Sequence, residues 1–528
     1  MMSWLLILLP LLGALVVIAS PARLARHLAL VTSLLVLGVS IAAALVFTGW
    51  GNGAYGLTAA LDWLPQAGIV IQVGADSVAF ILVLLTTMLM PLAILGSYTA
   101  VQVRQKEYYG WLLALLSAML GVFLARDLIL FYVCFEFTLV PMFFIIAIWG
   151  GANRGKACVK FLIYTFTGSL ITLAAFLMLA WSYADAHSGV WTFAIEPLTS
   201  HAAGLAASDQ AWLLLALLIG FGVKVPLFPV HTWLPLAHTE APTAGSVLLA
   251  GVLLKLGTYG LYRFALPMCP DAVVTWAPVI AILSIVGILY GALICWVQTD
   301  VKKLVAYSSV SHLGFCVLGL FALNPMGLEG SVLYMVNHGL STGALFFLIG
   351  MMYERYHTRD MRQISGLARV MPVWATFMVF FVLASVGLPG LNGFVSEFLC
   401  LIAAFTAGDG GAYPGVLGPW FAAFAALGMI LAAMYLLIMV GKIVFGPVQT
   451  PAHGHDDNDL PVDLSVREIV VLIPLAAGCI ILGVQPGIII DSTATSIADT
   501  LAVYPPIIEQ ASTHVGATLD AMVMGGAP

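Results

Sequence analysis

The chain has 528 residues, of which 62% are apolar and only 8% are charged, and its net charge is −6. Soluble domains carry about 25% charged and about 45–50% apolar residues, so this chain could not cover a water-exposed surface of its size. The composition excludes an ordinary soluble enzyme and indicates a protein that is solvated by the hydrocarbon core of a membrane. With so few charges, the net charge says little about partners.

The seven cysteines lie mostly within apolar runs, and no two of them form a CxxC pair. This spacing offers no ligand pattern for an iron–sulfur cluster, zinc or haem, so we expect small buried side chains and neither a metal nor a cofactor in this chain. His453 and His455 lie in a polar loop, where weak metal chelation is a minor alternative. The N-terminal run from Trp4 to Ala19 lacks a basic flank, and we interpret it as a first spanning helix rather than a signal peptide.

Fourteen segments are apolar over about the 20 residues that a spanning helix needs. We therefore predict an all-α, polytopic membrane protein. The predicted spans are 3–20, 28–48, 77–100, 109–125, 128–150, 160–183, 211–236, 243–266, 273–297, 303–322, 330–353, 371–406, 419–445 and 467–489. Short loops join them, with a longer polar loop from Pro447 to Val466 and a tail after Asp491.

Basic residues are distributed unevenly between the two sets of loops. Arg126 and Arg263 fall in one set, and fifteen Lys and Arg fall in or beside the other. Because Lys and Arg concentrate in cytoplasmic loops, this bias predicts that both termini lie on the periplasmic side of a bacterial inner membrane. The fifteen are Arg23, Arg26, Arg104, Lys106, Arg154, Lys156, Lys160, Lys302, Lys303, Arg355, Arg359, Arg362, Arg369, Lys442 and Arg467.

Two predicted spans contain helix-breaking residues near their middle. The seventh contains Pro226, Pro229 and Pro235, each of which removes a backbone donor. The twelfth, 371–406, is too long for one straight crossing and contains the sequence GLPGLNG at 387–393. Paired broken helices in two halves of a chain are typical of an inverted repeat with a transport path between the halves.

The breaks fall at equivalent places if helices 4–8 and 9–13 are two inverted five-helix repeats. We therefore divide the chain into four parts. They are helices 1–3 (1–105), the first five-helix repeat (106–268), the second repeat (269–446), and the polar loop with helix 14 and the tail (447–528).

Four ionisable residues lie far from either end of their predicted spans. They are Glu136 in the fifth span, Lys224 in the seventh, Lys255 in the eighth and Glu397 in the twelfth. A charge at the bilayer centre costs at least about 2.5–3.5 kcal/mol, so four of them are too costly to be kept for packing alone. The structural alternatives are a buried ion pair, an interhelical hydrogen bond or a snorkelling lysine, and Lys255 lies too deep for the last.

A proton relay would explain why all four of these buried ionisable residues are present. Burial favours the neutral form of both lysine and glutamate, and a neighbouring opposite charge favours the charged form. At a separation of about 7 Å and an effective dielectric constant of about 20, Coulomb's law gives roughly 2.4 kcal/mol for such a pair. Moving Glu136 away from Lys224 would therefore favour release of a proton from the lysine.

Histidines extend the predicted relay. His312 and His338 lie in the tenth and eleventh spans, between the lysines and Glu397 in the chain. A lone histidine on a helix is more often a satisfied core residue, but two of them beside four buried charges favour a relay. His231 and His238 lie near the broken part of the seventh span and are candidates for an access path.

Five segments carry the motifs of a known family. The most specific is KVPLFPVHTWLPLAHTEAPTAGSVLLAGVLLKLGTYGLYRF, from Lys224 to Phe264. The others are FYVCFEFTLVPMFFIIAIWGG, VKKLVAYSSVSHLGF, MVNHGLSTGALFFLIGMMYER and GLPGLNGFVSEFL. These segments resemble the antiporter-like membrane subunits of respiratory complex I, the NADH:quinone oxidoreductase. The likeness extends from about Asp76 to Val484, and a small departure is Tyr334, where Gln is commoner in the family.

The family has three members in complex I, called L, M and N. At the position of Glu397, M is expected to carry glutamate, whereas L and N are expected to carry lysine. The chain therefore resembles M, which is the equivalent of mitochondrial subunit 4. The resemblance implies proton translocation driven by quinone reduction elsewhere in the complex, with Glu136 paired to Lys224 and with Glu397 controlling release to the outside. The implied relay residues are Glu136, Lys224, Lys255, His312, His338 and Glu397.

The resemblance also implies that this chain is an enzyme subunit without a redox centre of its own. FMN, iron–sulfur clusters and quinone are expected in other subunits. The expected neighbours are the L and N subunits, a lateral amphipathic helix of L, and the lipid bilayer, with no nucleic acid.

Three other functions remain open on the sequence alone. A cation/proton antiporter subunit of a multi-subunit Mrp-type system shares the fold and the motifs, and so does a membrane subunit of a hydrogenase or formate-coupled complex. Neighbouring subunits would discriminate these two from complex I. A passive scaffold would tolerate alanine at every buried charge.

Overall fold

The computed structural model describes residues 2–408, 415–451 and 462–510, so His453 and His455 lie outside the described residues. Within these ranges, thirteen helices are long and apolar enough to cross a membrane. Two shorter apolar helices, Pro372–Val386 and Asn392–Thr406, occupy the twelfth predicted span. The predicted polytopic, α-helical architecture is confirmed.

The helices follow one another with short connections. In the first half they are α1 (Met2–Ala19), α2 (Ala22–Val46), α3 (Ser77–Gly96), α4 (Gln105–Leu124), α5 (Leu128–Trp149), α6 (Arg154–Ala186), α7 (Ile195–Ala203), α8 (Ala207–Lys224), α9 (Leu234–Glu240) and α10 (Thr243–Met268). In the second half they are α11 (Pro270–Val297), α12 (Val301–Leu320), α13 (Pro325–Tyr356), α14 (Leu367–Val370), α15 (Pro372–Val386), α16 (Asn392–Thr406), α17 (Pro419–Ile443), α18 (Val466–Val484) and α19 (Gly487–Leu501).

Both predicted breaks are present. The seventh span is divided into α8 and α9 because Pro226 and Pro229 interrupt the hydrogen-bond ladder after Lys224. The indole of Trp233 donates to the carbonyl of Val223 at 2.9 Å and so satisfies one acceptor at the end of α8. The twelfth span is divided at Gly387, whose φ of +83° is a conformation that glycine adopts without strain.

The centre of the bundle is formed by α10 and α13. The apolar window of each is fully buried inside the protein, whereas only about a third of the windows of α1 and α2 is buried. Two π-helical turns, Leu249–Leu253 and Leu261–Ala265, interrupt α10 on either side of Lys255. Helices α10 and α13 approach closely, since a Cβ on Gly339 would lie 3.0 Å from the carbonyl oxygen of Gly251. The relay candidates on these two helices therefore lie at the core of the molecule.

A short antiparallel hairpin lies between α2 and α3. Its strands are β1 (Gly56–Leu64) and β2 (Ile69–Ala75), and they pair directly with each other. This segment was predicted to be a loop, and the hairpin is a local addition to the predicted helical architecture. The hairpin ends at the start of α3, where Asp76 caps the helix by accepting from the backbone N–H of Ala79 at 2.9 Å.

The two ends of the bundle differ in their buried ion pairs. At the end that carries the hairpin, Arg263 and Asp76 are 2.5 Å apart, and the guanidinium also donates to the hydroxyl of Tyr55 at 2.9 Å. At the opposite end, Arg355 of α13 forms a bidentate pair with Glu468 of α18, with both contacts at 2.9 Å. These pairs fix the ends of the central helices, because a buried charge without its partner is strongly unfavourable.

Candidate functional site

The first pair of predicted site residues lies where α8 ends against α5. Lys224 is the last residue of α8 and is buried. Its ammonium donates to the hydroxyl of Thr138 at 3.2 Å and lies 4.7 Å from the centroid of the Phe135 ring. The proline-rich sequence after Lys224 is what places a helix terminus, and with it this ammonium, deep in the protein.

Glu136 and Lys224 are neighbours rather than partners in a close ion pair. Glu136 projects from α5, and its polar neighbours are Ser169 of α6 and the ammonium of Lys224. Its Oε1 atom is buried and has no hydrogen-bond partner among the described residues. The expected pairing is therefore electrostatic, and a small movement of either side chain would strengthen or weaken it.

Lys255 occupies the centre of α10, between the two π-helical turns. Its side chain is fully buried, and its ammonium donates to the backbone carbonyl of Ala250 and to Nδ1 of His338, the latter at 2.7 Å. Because Nδ1 of His338 accepts from the lysine, its Nε2 carries the hydrogen in the neutral ring. That Nε2 is buried and has no partner among the described residues.

The second cluster joins His312 of α12 to Glu397 of α16. Nδ1 of His312 lies 3.1 Å from Oε1 of Glu397 and 2.7 Å from the hydroxyl oxygen of Tyr334. The same hydroxyl donates to Oε1 of Glu397 at 2.5 Å. In the sequence, Tyr334 was notable only as a departure from the family. Its place in this cluster was not predicted, because a tyrosine in an apolar helix is usually interpreted as a packing residue.

A small polar cavity separates the two histidines. Their ring centroids are 6.0 Å apart, and the cavity has a volume of about 10 Å³, enough for about one water molecule. Nε2 of His312, Nε2 of His338 and Oε2 of Glu397 are buried without partners among the described residues, and these side chains line the cavity. In the neutral rings, Nδ1 of His338 accepts from Lys255 and Nδ1 of His312 donates toward Glu397. Nε2 of His338 is therefore a donor, and Nε2 of His312 is an acceptor.

The break between α15 and α16 is fixed against α13 by two asparagines. Asn337, next to His338, donates to the carbonyl of Asn392 at 2.7 Å and to the hydroxyl of Ser396 at 3.1 Å. Asn392 donates in return to the carbonyl of Asn337 at 3.2 Å. These contacts join the first turn of α16 to α13 and hold Glu397, in the second turn of α16, beside the cavity.

The two access candidates have different surroundings. His238 of α9 is fully buried and stacks on Phe346 of α13 at 4.6 Å, and neither ring nitrogen has a partner among the described residues. Its charged neighbours are Lys302 and Lys255. His231 packs beside Phe228 and Tyr290, with Lys160 as its charged neighbour. Only His238 therefore borders the site.

A large polar cavity opens at the end of the bundle opposite the hairpin. We call it the vestibule; it has a volume of about 870 Å³. Lys302, which sequence analysis assigned to a loop, is buried at this cavity and donates to the carbonyl of Ala241 at 2.6 Å. Residues that line the vestibule include Gly150, Asn153, Glu240, Lys302, Glu354 and Arg359.

Comparison with known proteins places the chain in a family. Residues 125–412, more than half of the chain, match the family model described as NADH:quinone oxidoreductase/Mrp antiporter, transmembrane. The chain is 39% identical over 500 residues to NADH-ubiquinone oxidoreductase chain 4 of Marchantia polymorpha, covering 94% of this chain and 96% of that protein. It is 39% identical over 498 residues to NADH-quinone oxidoreductase subunit M of Rhodobacter capsulatus, covering 91% of each.

A solved structure gives the same result. A chain of respiratory complex I from Thermus thermophilus with bound NADH superposes with a TM-score of 0.81 at 31% identity, covering 95% of this chain and 100% of that chain. The resemblance to subunit M and its mitochondrial equivalent is thus confirmed. The chain belongs to the NADH:quinone oxidoreductase and Mrp antiporter family of transmembrane subunits.

Proposed function

We propose that this chain is the proton-translocating, M-type subunit in the membrane arm of an NADH:quinone oxidoreductase. Protons move along an axis that begins at the Glu136–Lys224 pair and continues through Lys255, the two histidines and Glu397. The observation that carries the proposal is the buried string of hydrogen bonds from Lys255 to His338 and, across the small cavity, from His312 to Glu397. Groups that exchange protons are brought together there at a depth where no structural role requires all of them.

The hydrogen bonds and the small cavity support the following order of transfers. The ammonium of Lys255 gives a proton to Nδ1 of His338, which releases its Nε2 hydrogen toward the cavity. One water molecule in the cavity carries a proton to Nε2 of His312, and the Nδ1 hydrogen of His312 passes to the carboxylate of Glu397. Each imidazole accepts a proton on one nitrogen and releases another from its second nitrogen, so both rings end neutral. Rotation of the ring then restores the starting tautomer.

The Glu136–Lys224 pair couples this axis to the driving reaction. The open spacing of the two groups leaves room for their interaction to strengthen when the local charge changes. A change of a few kcal/mol at this pair is comparable with the cost of moving one charge against the membrane potential, which is about 2.3 kcal/mol per 100 mV. The driving signal comes from quinone reduction elsewhere in the complex.

The remaining assignments follow the same proposal. FMN, iron–sulfur clusters and quinone are bound by other subunits, and this chain has no redox centre. The L and N antiporter-like subunits are its neighbours, and residues 106–268 and 269–446 act as inverted repeats. The end of the bundle with the vestibule carries most of the Lys and Arg and therefore faces the inside, so that both termini lie outside.

The test uses the assembled complex in inverted membrane vesicles, in which the inner face is turned toward the buffer. Glu136→Gln and Lys224→Ala should each abolish proton uptake during NADH oxidation, whereas Glu107→Gln, at an exposed position on α4, should not. Proton uptake at the parental rate by normally assembled Glu136→Gln and Lys224→Ala complexes would refute the relay. That result would instead favour a passive structural role for this chain in the complex.

A second measurement decides between the related assemblies. The complex is purified by a tag on this chain, and its subunits are identified by mass spectrometry. Flavin and iron–sulfur subunits that oxidise NADH support the proposal. Mrp-type subunits, or a nickel–iron hydrogenase or formate-oxidising subunit, would instead assign the chain to one of the alternative complexes.

A further inference from the structure

Cations surround the point where α9 ends and α10 begins. Lys302 of α12 donates to the carbonyl of Ala241 at 2.6 Å, and Arg359 donates to the carbonyl of Thr239 at 2.5 Å. Between them, the carbonyl of Glu240 accepts from the backbone N–H of Gly151 at 2.8 Å. These contacts join the C-terminus of α9, the helix that carries His238, to the wall of the vestibule. The carbonyls at the end of a helix attract positive charge.

Lys302 lies between the vestibule and the buried axis. It lines the vestibule, yet only 7% of its surface is exposed. The charged groups around it are Asp300, which caps the N-terminus of α12, Arg359 on the loop after α13, Glu240 of α9 and His238. Both ring nitrogens of His238 lack a partner among the described residues, and Lys255 is its other cationic neighbour.

The other ionisable groups of the vestibule are less suited to this position. The guanidinium of Arg359 does not release a proton in a protein, and it is held by Asp300 at 3.4 Å. The carboxylate of Glu240 accepts from the backbone N–H of Asn153 at 2.8 Å and so points toward the loop after α5. Glu354 accepts from the hydroxyl of Thr99 at 2.6 Å, and His357 is exposed.

We propose that Lys302 takes up protons from the vestibule and passes them through His238 to Lys255. The step rests on the proposed function, because it supplies the axis described above. The ammonium of Lys302 gives a proton to one ring nitrogen of His238, the other ring nitrogen gives its hydrogen to the neutral amine of Lys255, and water in the vestibule reprotonates Lys302. Stacking of His238 on Phe346 leaves both nitrogens on the ring edge free for this exchange.

Two variants of Lys302 and two controls, Lys303→Met and Lys255→Met, test the proposal in inverted vesicles that contain the complete complex. Lys302→Met removes the exchangeable proton. Lys302→Arg keeps a positive donor for the carbonyl of Ala241 but does not release a proton at working pH. Lys303→Met is the matched control, because Lys303 is the next residue of the same helix and does not line the vestibule.

Both Lys302 variants should lower the ratio of protons taken up to NADH oxidised by roughly tenfold or more, and Lys303→Met should leave it unchanged. Lowering the pH of the buffer, which bathes the inner face, should partly restore the ratio in the Lys302 variants, because their defect is one of proton supply. It should not restore Lys255→Met, which lacks a group of the axis itself.

Parental proton uptake by either Lys302 variant would overturn the proposal, and activity in Lys302→Arg alone would reduce Lys302 to a positioning residue for α9. If Lys302→Met fails to assemble, Lys302→Arg decides alone, because it retains the charge and the carbonyl contact. Normal uptake by the Lys302 variants together with a block in Lys255→Met defeats only this inference. Normal uptake by Lys255→Met would defeat the proposed function.

Discussion

Replacing Tyr334 by phenylalanine removes a single oxygen atom from the junction of His312 and Glu397. That oxygen lies 2.7 Å from Nδ1 of His312 and 2.5 Å from Oε1 of Glu397. The aromatic ring that packs between α12 and α16 is kept, so the change should affect proton transfer and leave the fold intact.

The size of the effect follows from these contacts. A hydrogen bond to a charged group contributes about 1.5–3 kcal/mol, and the ionised form of Glu397 loses one such bond in Tyr334→Phe. Because about 1.4 kcal/mol corresponds to a factor of ten, transfer that requires the ionised carboxylate should slow by about ten- to one-hundredfold. The direct contact of 3.1 Å between His312 and Glu397 remains and supports the residual rate.

The assay is the initial rate of proton uptake per NADH oxidised in inverted vesicles. Tyr435→Phe is the matched control, because that hydroxyl is also buried but makes no hydrogen bond to His312 or Glu397. Tyr334→Gln should recover much of the rate, because an amide can donate to the carboxylate and accept from the imidazole. Parental rates in Tyr334→Phe would show that the hydroxyl takes no part in the transfer and would refute this account of the cluster.

Two further substitutions test the packing that places the site. Gly339→Ala puts a Cβ 3.0 Å from the carbonyl oxygen of Gly251, so it should destabilise the complex by about 1–3 kcal/mol and weaken the contact between Lys255 and His338. Gly343→Ala, whose nearest neighbour would be 3.8 Å away, should be silent in thermal inactivation and proton uptake. Arg355→Met leaves the buried carboxylate of Glu468 without its partner and should cost about 3–5 kcal/mol, seen as loss of assembled complex on native gels. Arg362→Met, in an exposed pair with Asp360, should cost less than about 1 kcal/mol, and equal losses in the two variants would contradict this reasoning.

The buried charges could be predicted because a single charged residue stands out in the apolar sequence of a spanning helix. In the sequence AGVLLKLGTYG, Lys255 is the one charge in a long apolar run, and 1.5 Å of rise per residue places it far from both surfaces. The breaks of the seventh and twelfth spans were equally visible, since Pro226 and Gly387 act on the backbone locally. These features depend on sequence within one helix, which is why the sequence was sufficient.

Other parts of the site depend on contacts between helices. Lys302 and Lys303 are adjacent in the sequence, and only the packing of α12 against α9 determines which of them is buried. The π-helical turns of α10 likewise accompany its close approach to α13 at Gly251, which no local pattern records. The hairpin was missed because each of its strands is too short for a spanning helix and their pairing is a contact between two segments, so this region was assigned to the loop between two predicted spans.

In the orientation proposed above, with the vestibule facing the inside, this open cavity also has an electrical consequence. Water and dissolved ions conduct, so a cavity of about 870 Å³ brings the potential of the inner solution down to its floor at Lys302. The voltage across the membrane then falls mainly over the closely packed protein beyond that floor, a thinner insulator than the bilayer itself. A proton therefore performs most of its electrical work, about 2.3 kcal/mol per 100 mV, within the few side-chain steps from His238 outward. Substitutions on the cavity wall should alter the rate of pumping with little change in its dependence on voltage.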